Sequence, residues 1–285
     1  MCLHTNKPSF GQAIAMLAMF LAFQSLIATP IVLVSSALHR ALTVDTTLVA
    51  LANSLAMVPT VWLGSLICKQ PWRQLIAFGP RPWRLVPTVA LMCLGGFVLC
   101  SEVENMTRMI LPMPKVVAEF FSDLFDVTQN PLSAAFALVM VAPFTEEPIC
   151  RRWVLGSLLP SWKPWKAIAV SGVVFGLMHM NPWQFFYASV LGFILGWVYW
   201  RTRSVWLCVF LHALNNGISW LLSYCQPEIP GFTGSYGDAA RFQPWWLDTT
   251  GALVFVLGAW LLQKQTPVPP RVVAVPPLPP IIPQP

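Results

Sequence analysis

Charge is what this sequence has little of: only 10% of its 285 residues are Asp, Glu, Lys or Arg, while 56% are apolar. A soluble domain of this size carries about a quarter charged residues. The shortfall excludes a water-facing shell. The apolar residues instead fall in runs approaching the roughly 20 that cross a ~30 Å hydrocarbon core as helix. Further absences narrow the class. No basic run is interleaved with aromatics, so the net charge of +6 marks no nucleic-acid surface and no nucleic-acid partner is expected. The seven cysteines are odd in number and include no CxxC pair, which removes a disulfide framework and a zinc knuckle. A cleaved signal is not expected either. Only Lys7 precedes an apolar stretch from about Gly11 to Leu38, too long for a signal core and read as the first membrane helix. No internal repeat of fixed period is present.

What is there is a series of eight apolar spans, near 11–38, 46–68, 85–101, 131–150, 166–180, 182–200, 204–223 and 245–262. They predict an all-α, polytopic membrane bundle of about eight transmembrane helices, with membrane lipids as its surroundings. The fifth span is short and meets the sixth at Asn181-Pro182 almost without a loop. Irregular backbone at membrane depth survives only inside protein or beside a wet cavity, so that junction is expected within the embedded mass. Orientation follows from Lys and Arg, which mark cytoplasmic loops. Eight spans put 13 of the 17 on one side, among them Lys69, Arg73, Arg81, Arg84, Arg152, Lys163, Arg201 and Lys264. Arg40, Arg108, Lys115 and Arg241 fall on the other. The expectation is a multi-pass protein of the cell membrane with both termini cytoplasmic. Residues 102–130 mix Glu102, Glu104, Glu119, Asp123 and Asp126 with Val116, Phe120 and Phe121, the pattern of an amphipathic helix on the outer surface. Residues 266–285 hold nine prolines in twenty positions and predict a disordered, polyproline II-like tail.

Ionisable groups inside membrane spans are costly and rare, so each is a candidate for function. Three segments carry them. The first is Glu146-Glu147-Pro148-Ile149-Cys150-Arg151, placed toward the cytoplasmic end of the fourth span. On a helix Glu147 and Arg151 share a face and can pair. Glu146 then turns about 100° away, without a local cation, the profile of a general base. Pro143 and Pro148 flank the pair and are expected to bend the helix and free backbone groups. A headgroup-level charge cluster is the structural alternative. The second segment is Phe175-Gly176-Leu177-Met178-His179, where Phe175 and His179 lie one turn apart and the ring can hold the imidazole. The third is His212-Ala213-Leu214-Asn215-Asn216, with His212 and Asn216 on one face. Two such donors can form an oxyanion hole or act as interhelical polar glue.

EExxxR, FxxxH and HxxxN, in this order on successive helices, resemble the CPBP family, also called ABI, which includes CAAX proteases and bacteriocin-processing enzymes. The eukaryotic type II CAAX prenyl endopeptidase is a member. The resemblance covers roughly residues 131–225. It implies an intramembrane glutamic endopeptidase without metal or organic cofactor. Glu146 would activate a water with help from His179, and His212 with Asn216 would stabilise the oxyanion. Glu147 and Arg151 would be the supporting ion pair, with Phe175 beside them. Arg152 stands where family members often have Gly. The chain accordingly divides into membrane helices and an outer segment over 1–130, a catalytic core over 131–225, a last loop and helix over 226–265, and the tail over 266–285.

Two other readings use the same residues. Two histidines and a carboxylate can form a zinc triad, although HExxH is absent, as are a rhomboid-type serine and paired YD/GxGD aspartates. A non-catalytic membrane protein, such as a transporter, immunity or scaffold factor, could keep a similar polar cavity. With all four catalytic positions present, the expectation is hydrolysis of a peptide bond in a membrane-associated peptide, lipidated or leader-like. The polar pocket is expected to open toward the cytoplasm.

Overall fold

The computed structural model describes residues 8–37, 46–124, 127–128, 130–232 and 240–268. Among them are ten helices and no strand. In chain order these are α1 (Phe10–Ala37), α2 (Thr46–Cys68), the short α3 (Trp72–Leu75), α4 (Val86–Ile110) and α5 (Lys115–Leu124). They continue as α6 (Pro131–Leu158), α7 (Pro164–Leu177), α8 (Pro182–Thr202), α9 (Val205–Cys225) and α10 (Trp245–Gln265). Six are long and apolar enough to cross a membrane: those at Phe10–Pro30, Ala50–Cys68, Trp83–Ile110, Pro131–Leu158, Val205–Cys225 and Trp245–Gln265. The fifth and sixth expected spans are helices too. Of these α7 has only 14 residues, and the 21-residue α8 is rich in Trp and Tyr. The chain is a polytopic helical bundle. Most of the proline-rich tail lies outside the described residues.

Two helices run further than the sequence led one to expect. The third span is expected at 85–101, but α4 continues to Ile110 and carries Glu102 and Glu104 with it. Nothing between 101 and 111 breaks a helix, whereas Pro112 and Pro114 do. The surface amphipathic segment shrinks accordingly to α5. The fourth span was ended at residue 150, yet α6 runs to Leu158 and stops just ahead of Pro160. Its two internal prolines are absorbed by wide π-type turns at Phe136–Val141 and Pro148–Leu155 rather than by a break. The extension moves Glu146 to the middle of the span, 12 residues before Leu158, instead of its cytoplasmic end.

Contacts between helix ends sort the bundle into two faces. At one face the Val205 N–H donates to the Phe78 carbonyl at 2.9 Å, the Trp153 indole to Leu75 at 2.9 Å, and Arg152 to Gln74 at 3.1 Å. At the other, the Trp183 indole donates to Leu111 at 2.9 Å, Asn105 to Gly231 at 3.0 Å, and Trp220 to Pro131 at 3.1 Å. The first face carries ten of the described cations: Lys69, Arg73, Arg81, Arg84, Arg152, Lys163, Lys166, Arg201, Arg203 and Lys264. The second carries Arg108, Lys115 and Arg241, together with Glu102, Glu104, Glu119, Glu228 and Asp248. No described Asp or Glu lies at the basic face.

The close-packed core lies in the basic half. Trp153, Val154 and Leu155 of α6, Ile168 of α7, Leu195 and Val198 of α8 and Cys208 of α9 are all 0% exposed. Small residues bring these helices together, as they do in bilayers where backbone approach replaces the hydrophobic drive. Gly172 and Gly176 on α7 pack against α8, and Gly192 and Gly196 on α8 pack against α7, with Gly172 facing Gly192. A Cβ at Gly172 would sit 2.9 Å from the Ser189 carbonyl, and one at Gly192 would sit 3.0 Å from the Gly172 Cα. Both pairs read GxxxG in the sequence.

Candidate active site

The site starts from the way α6 handles its prolines. At the end of the first π-turn the Ala142 N–H donates to Ala137, five residues back. The next carbonyl in that register, Leu138, faces Pro143, which has no N–H to give. Asn216 of α9 supplies the missing donor, its Nδ2 lying 2.9 Å from the Leu138 oxygen. The carbonyl freed by proline thus fixes the side chain of Asn216. An amide nitrogen carries two protons, and this bond uses one.

One turn further, two adjacent glutamates part ways. Glu147 is 0% exposed. Its Oε2 accepts from Arg151 Nε at 2.7 Å, and its Oε1 from His212 Nδ1 at 2.9 Å. Arg151, also 0% exposed, extends the network. Its Nη1 donates to the Gly192 carbonyl at 3.1 Å and to Ser171 Oγ at 3.4 Å. Its guanidinium lies over the Phe175 ring at 5.0 Å. Ser171 in turn donates to the Cys150 carbonyl at 3.1 Å. Burying a charge costs several kcal/mol unless its hydrogen bonds are filled. Here one carboxylate–guanidinium pair ties α6, α7, α8 and α9 together. The close approach of α7 and α8 at their glycines is what lets Arg151 reach the Gly192 backbone.

Glu146 is only half-buried and points the other way, into a cavity of about 1050 Å³. His179, His212 and Asn216 line the same cavity, so the four expected catalytic positions meet at one space. The two imidazoles are oriented by their Nδ1 atoms. His179 Nδ1 lies 3.0 Å from the Phe175 carbonyl, which can only accept, so the proton sits on Nδ1 and Nε2 is left as an acceptor. His212 Nδ1 likewise donates to the Glu147 carboxylate. Phe175 stands edge-on to both rings, with centroids 5.3 Å from His179 and 5.5 Å from His212. Met180 and Asn181, at the α7–α8 junction, also line the cavity. Met180 adopts a left-handed backbone at φ 51°, and Asn181 caps α8 by accepting from the Gln184 N–H at 2.8 Å.

The expected opening toward the basic face is not what the structure has. The cavity is lined from the halves of the helices that point away from that face, by residues such as Asn53, Phe97, Glu104, Asn181, Ser223 and Phe232. Beneath Glu146 the basic half is filled by the core described above. The reason is the length of α6: its last turns, Pro148–Leu158, are core and not a membrane exit.

Two residues of the site went unmarked in the sequence reading. Asn215 is more buried than Asn216, at 2% exposure, and its Oδ1 accepts from Tyr187 OH at 3.0 Å. Both Tyr187 and Asn215 line the cavity. The signal was available in the tandem Asn215-Asn216 inside an apolar span. Pairing by four-residue spacing selected Asn216 and passed over its neighbour. Among the described residues no three His, Cys, Asp or Glu side chains converge as metal ligands.

Comparison with known proteins bears on this same stretch. Residues 128–218 match the family model described as type II CAAX prenyl endopeptidase Rce1-like. A 93-residue segment is 28% identical to the Bacillus subtilis (strain 168) protein named "Putative membrane peptidase YdiL". That alignment covers 33% of this chain and 38% of the relative's length. No solved structure matches. The resemblance expected from the three motifs is therefore met over the helices that carry Glu146, His179, His212 and Asn216.

Proposed function

We propose, from this similarity and the site geometry together, that the chain is a membrane endopeptidase in which Glu146 activates water to hydrolyse a peptide bond. The observation that carries the reading is the division of labour between adjacent glutamates. Glu147 is tied to Arg151 and His212 in a fully buried network, while Glu146 is left facing the cavity that His179, His212 and Asn216 also line.

In the proposed reaction a water sits between Glu146 and the acceptor Nε2 of His179. Glu146 takes one proton as the water oxygen bonds to the substrate carbonyl carbon. The carbonyl oxygen becomes an oxyanion, met by the second Nδ2 proton of Asn216 and by His212 Nε2. His212 donates there only as the doubly protonated ring, whose charge the Glu147 carboxylate offsets. Collapse of the tetrahedral intermediate breaks the C–N bond, and Glu146 passes its proton to the leaving amine. The products are a carboxylic acid, which then loses its proton to solvent, and an amine, with no metal and no organic cofactor in the proposed reaction. Residues 131–225 form the catalytic core in this reading, and the substrate is a membrane-associated peptide, lipidated or leader-like. The location is the cell membrane, with both termini cytoplasmic.

The test is a cleavage assay on purified protein with a mixed set of lipidated and leader-type peptides, with and without a strong zinc chelator. Cleavage that Glu146→Gln abolishes and the chelator leaves intact supports the reading. Inhibition by chelator that zinc reverses replaces it with a zinc-dependent protease.

A further inference from the structure

The cavity and the cations lie at opposite ends of the bundle, and this decides where a substrate comes from. Resting on the peptidase reading above, we infer that polypeptide reaches Glu146 from the extracytoplasmic side of the membrane. The substrate class is then an exported or outward-looping peptide segment, not a chain end held at the cytoplasmic surface.

Three observations carry this. Lys and Arg near span ends mark the cytoplasmic side, and the described residues place ten of them at one face against three at the other. Among the described residues, none of the loops at the basic face contributes to the cavity lining, whereas the opposite face supplies Glu104, Asn181, Ser223, Glu228, Phe232 and Arg241. Between Glu146 and the cytoplasmic end lie 12 residues of α6, about 18 Å at 1.5 Å per residue. That depth is filled by side chains such as Trp153, Leu155 and Leu158, each 1% exposed or less. A peptide arriving from the cytoplasm would have to displace close-packed core. From the other face it meets an open space of about 1050 Å³. That is at the upper end of the ~300–1,000 Å³ usual for small-molecule sites, room for a short extended peptide.

The chain carries its own reporter. Cys225 is exposed at the cavity face, while Cys68, Cys93, Cys100, Cys150 and Cys208 are buried. Full-length protein with Cys2→Ser is expressed in cells and treated with a membrane-impermeant maleimide before and after permeabilisation. Labelling of intact cells is expected, falling to background in Cys225→Ser. Ser161→Cys, exposed at the basic face and placed in that cysteine-poor background, is expected to label only after permeabilisation. The reverse pattern overturns the inference. In a second arm, leader-type peptides are added outside right-side-out and inverted vesicles. Cleavage by the right-side-out set alone supports the inference, and cleavage by the inverted set alone overturns it. Cleavage by neither set removes the peptidase reading and its substrate, while the maleimide result still decides which way the cavity faces.

Discussion

The two halves of this bundle are built on different principles. The basic half is a packed solid: α6, α7, α8 and α9 meet through glycines and large apolar side chains at essentially zero exposure. The opposite half of the same helices is hollow and lined with amides, imidazoles and carboxylates. The Glu147–Arg151 pair sits at the boundary, and its geometry explains why the halves need each other. The solid half supplies the Gly192 carbonyl and the Ser171 hydroxyl, which accept from the buried Arg151 guanidinium. Its partner Glu147 then fixes His212 at the edge of the hollow half. A polar site is held steady at membrane depth by anchoring it below, in the core, and not by closing it above.

If this division is right, substitutions should separate stability from cleavage according to the half they strike. The largest effect on stability is expected from Arg151→Leu, which leaves Glu147 buried with His212 as its one remaining ionisable partner. Breaking a buried pair costs about 3–5 kcal/mol. A thermal unfolding midpoint in detergent that hardly moves would remove the boundary role of the pair. Pairing the change with Glu147→Leu should recover part of the loss, because no lone charge remains. Gly172→Leu strikes the solid half at the α7–α8 contact. It forces a side chain against the Ser189 carbonyl and should lower stability by about 1–3 kcal/mol or more.

Asn216→Ala strikes the hollow half and should cost both stability and cleavage. It orphans the Leu138 carbonyl, at about 1–3 kcal/mol, and removes a proposed oxyanion donor. Loss of roughly 10²–10³ in turnover is expected even where the protein is folded. Normal turnover in a measurably destabilised variant would confine Asn216 to a structural role. The smallest effect is assigned to Tyr187→Phe, which deletes one hydrogen bond to Asn215, worth about 0.5–1.5 kcal/mol.

The legibility of this fold follows the period of its signals. The polytopic helical class was readable because long apolar runs call for helices in a bilayer, although six helices, not eight, have the length and apolarity to cross one. Helix ends were harder. The short reading of α4 treated Glu102 and Glu104 as a sign of the surface, whereas Pro112 and Pro114 mark where the helix ends. At α6 the Glu-Glu-Pro cluster reads as a membrane boundary, although π-turns carry the helix through both prolines. That single misplacement inverted the expected direction of the cavity. Within the site, pairs on one helix were legible by spacing, as with Glu147 and Arg151. Pairs between helices were not: His212 with Glu147, Asn216 with Leu138 and Tyr187 with Asn215 depend on which faces meet. The GxxxG repeats at Gly172–Gly176 and Gly192–Gly196 bring α7 against α8, a contact that none of those three pairs uses.

The most direct test of the central claim is to measure unfolding and peptide cleavage side by side for Glu146→Gln. Unfolding stability within about ±0.5 kcal/mol of the parent is expected, because the side chain faces a cavity and not the core. Cleavage should fall by roughly 10²–10⁴, the usual contribution of a positioned base. A variant that folds as well as the parent and still cleaves at the parent rate would contradict the claim.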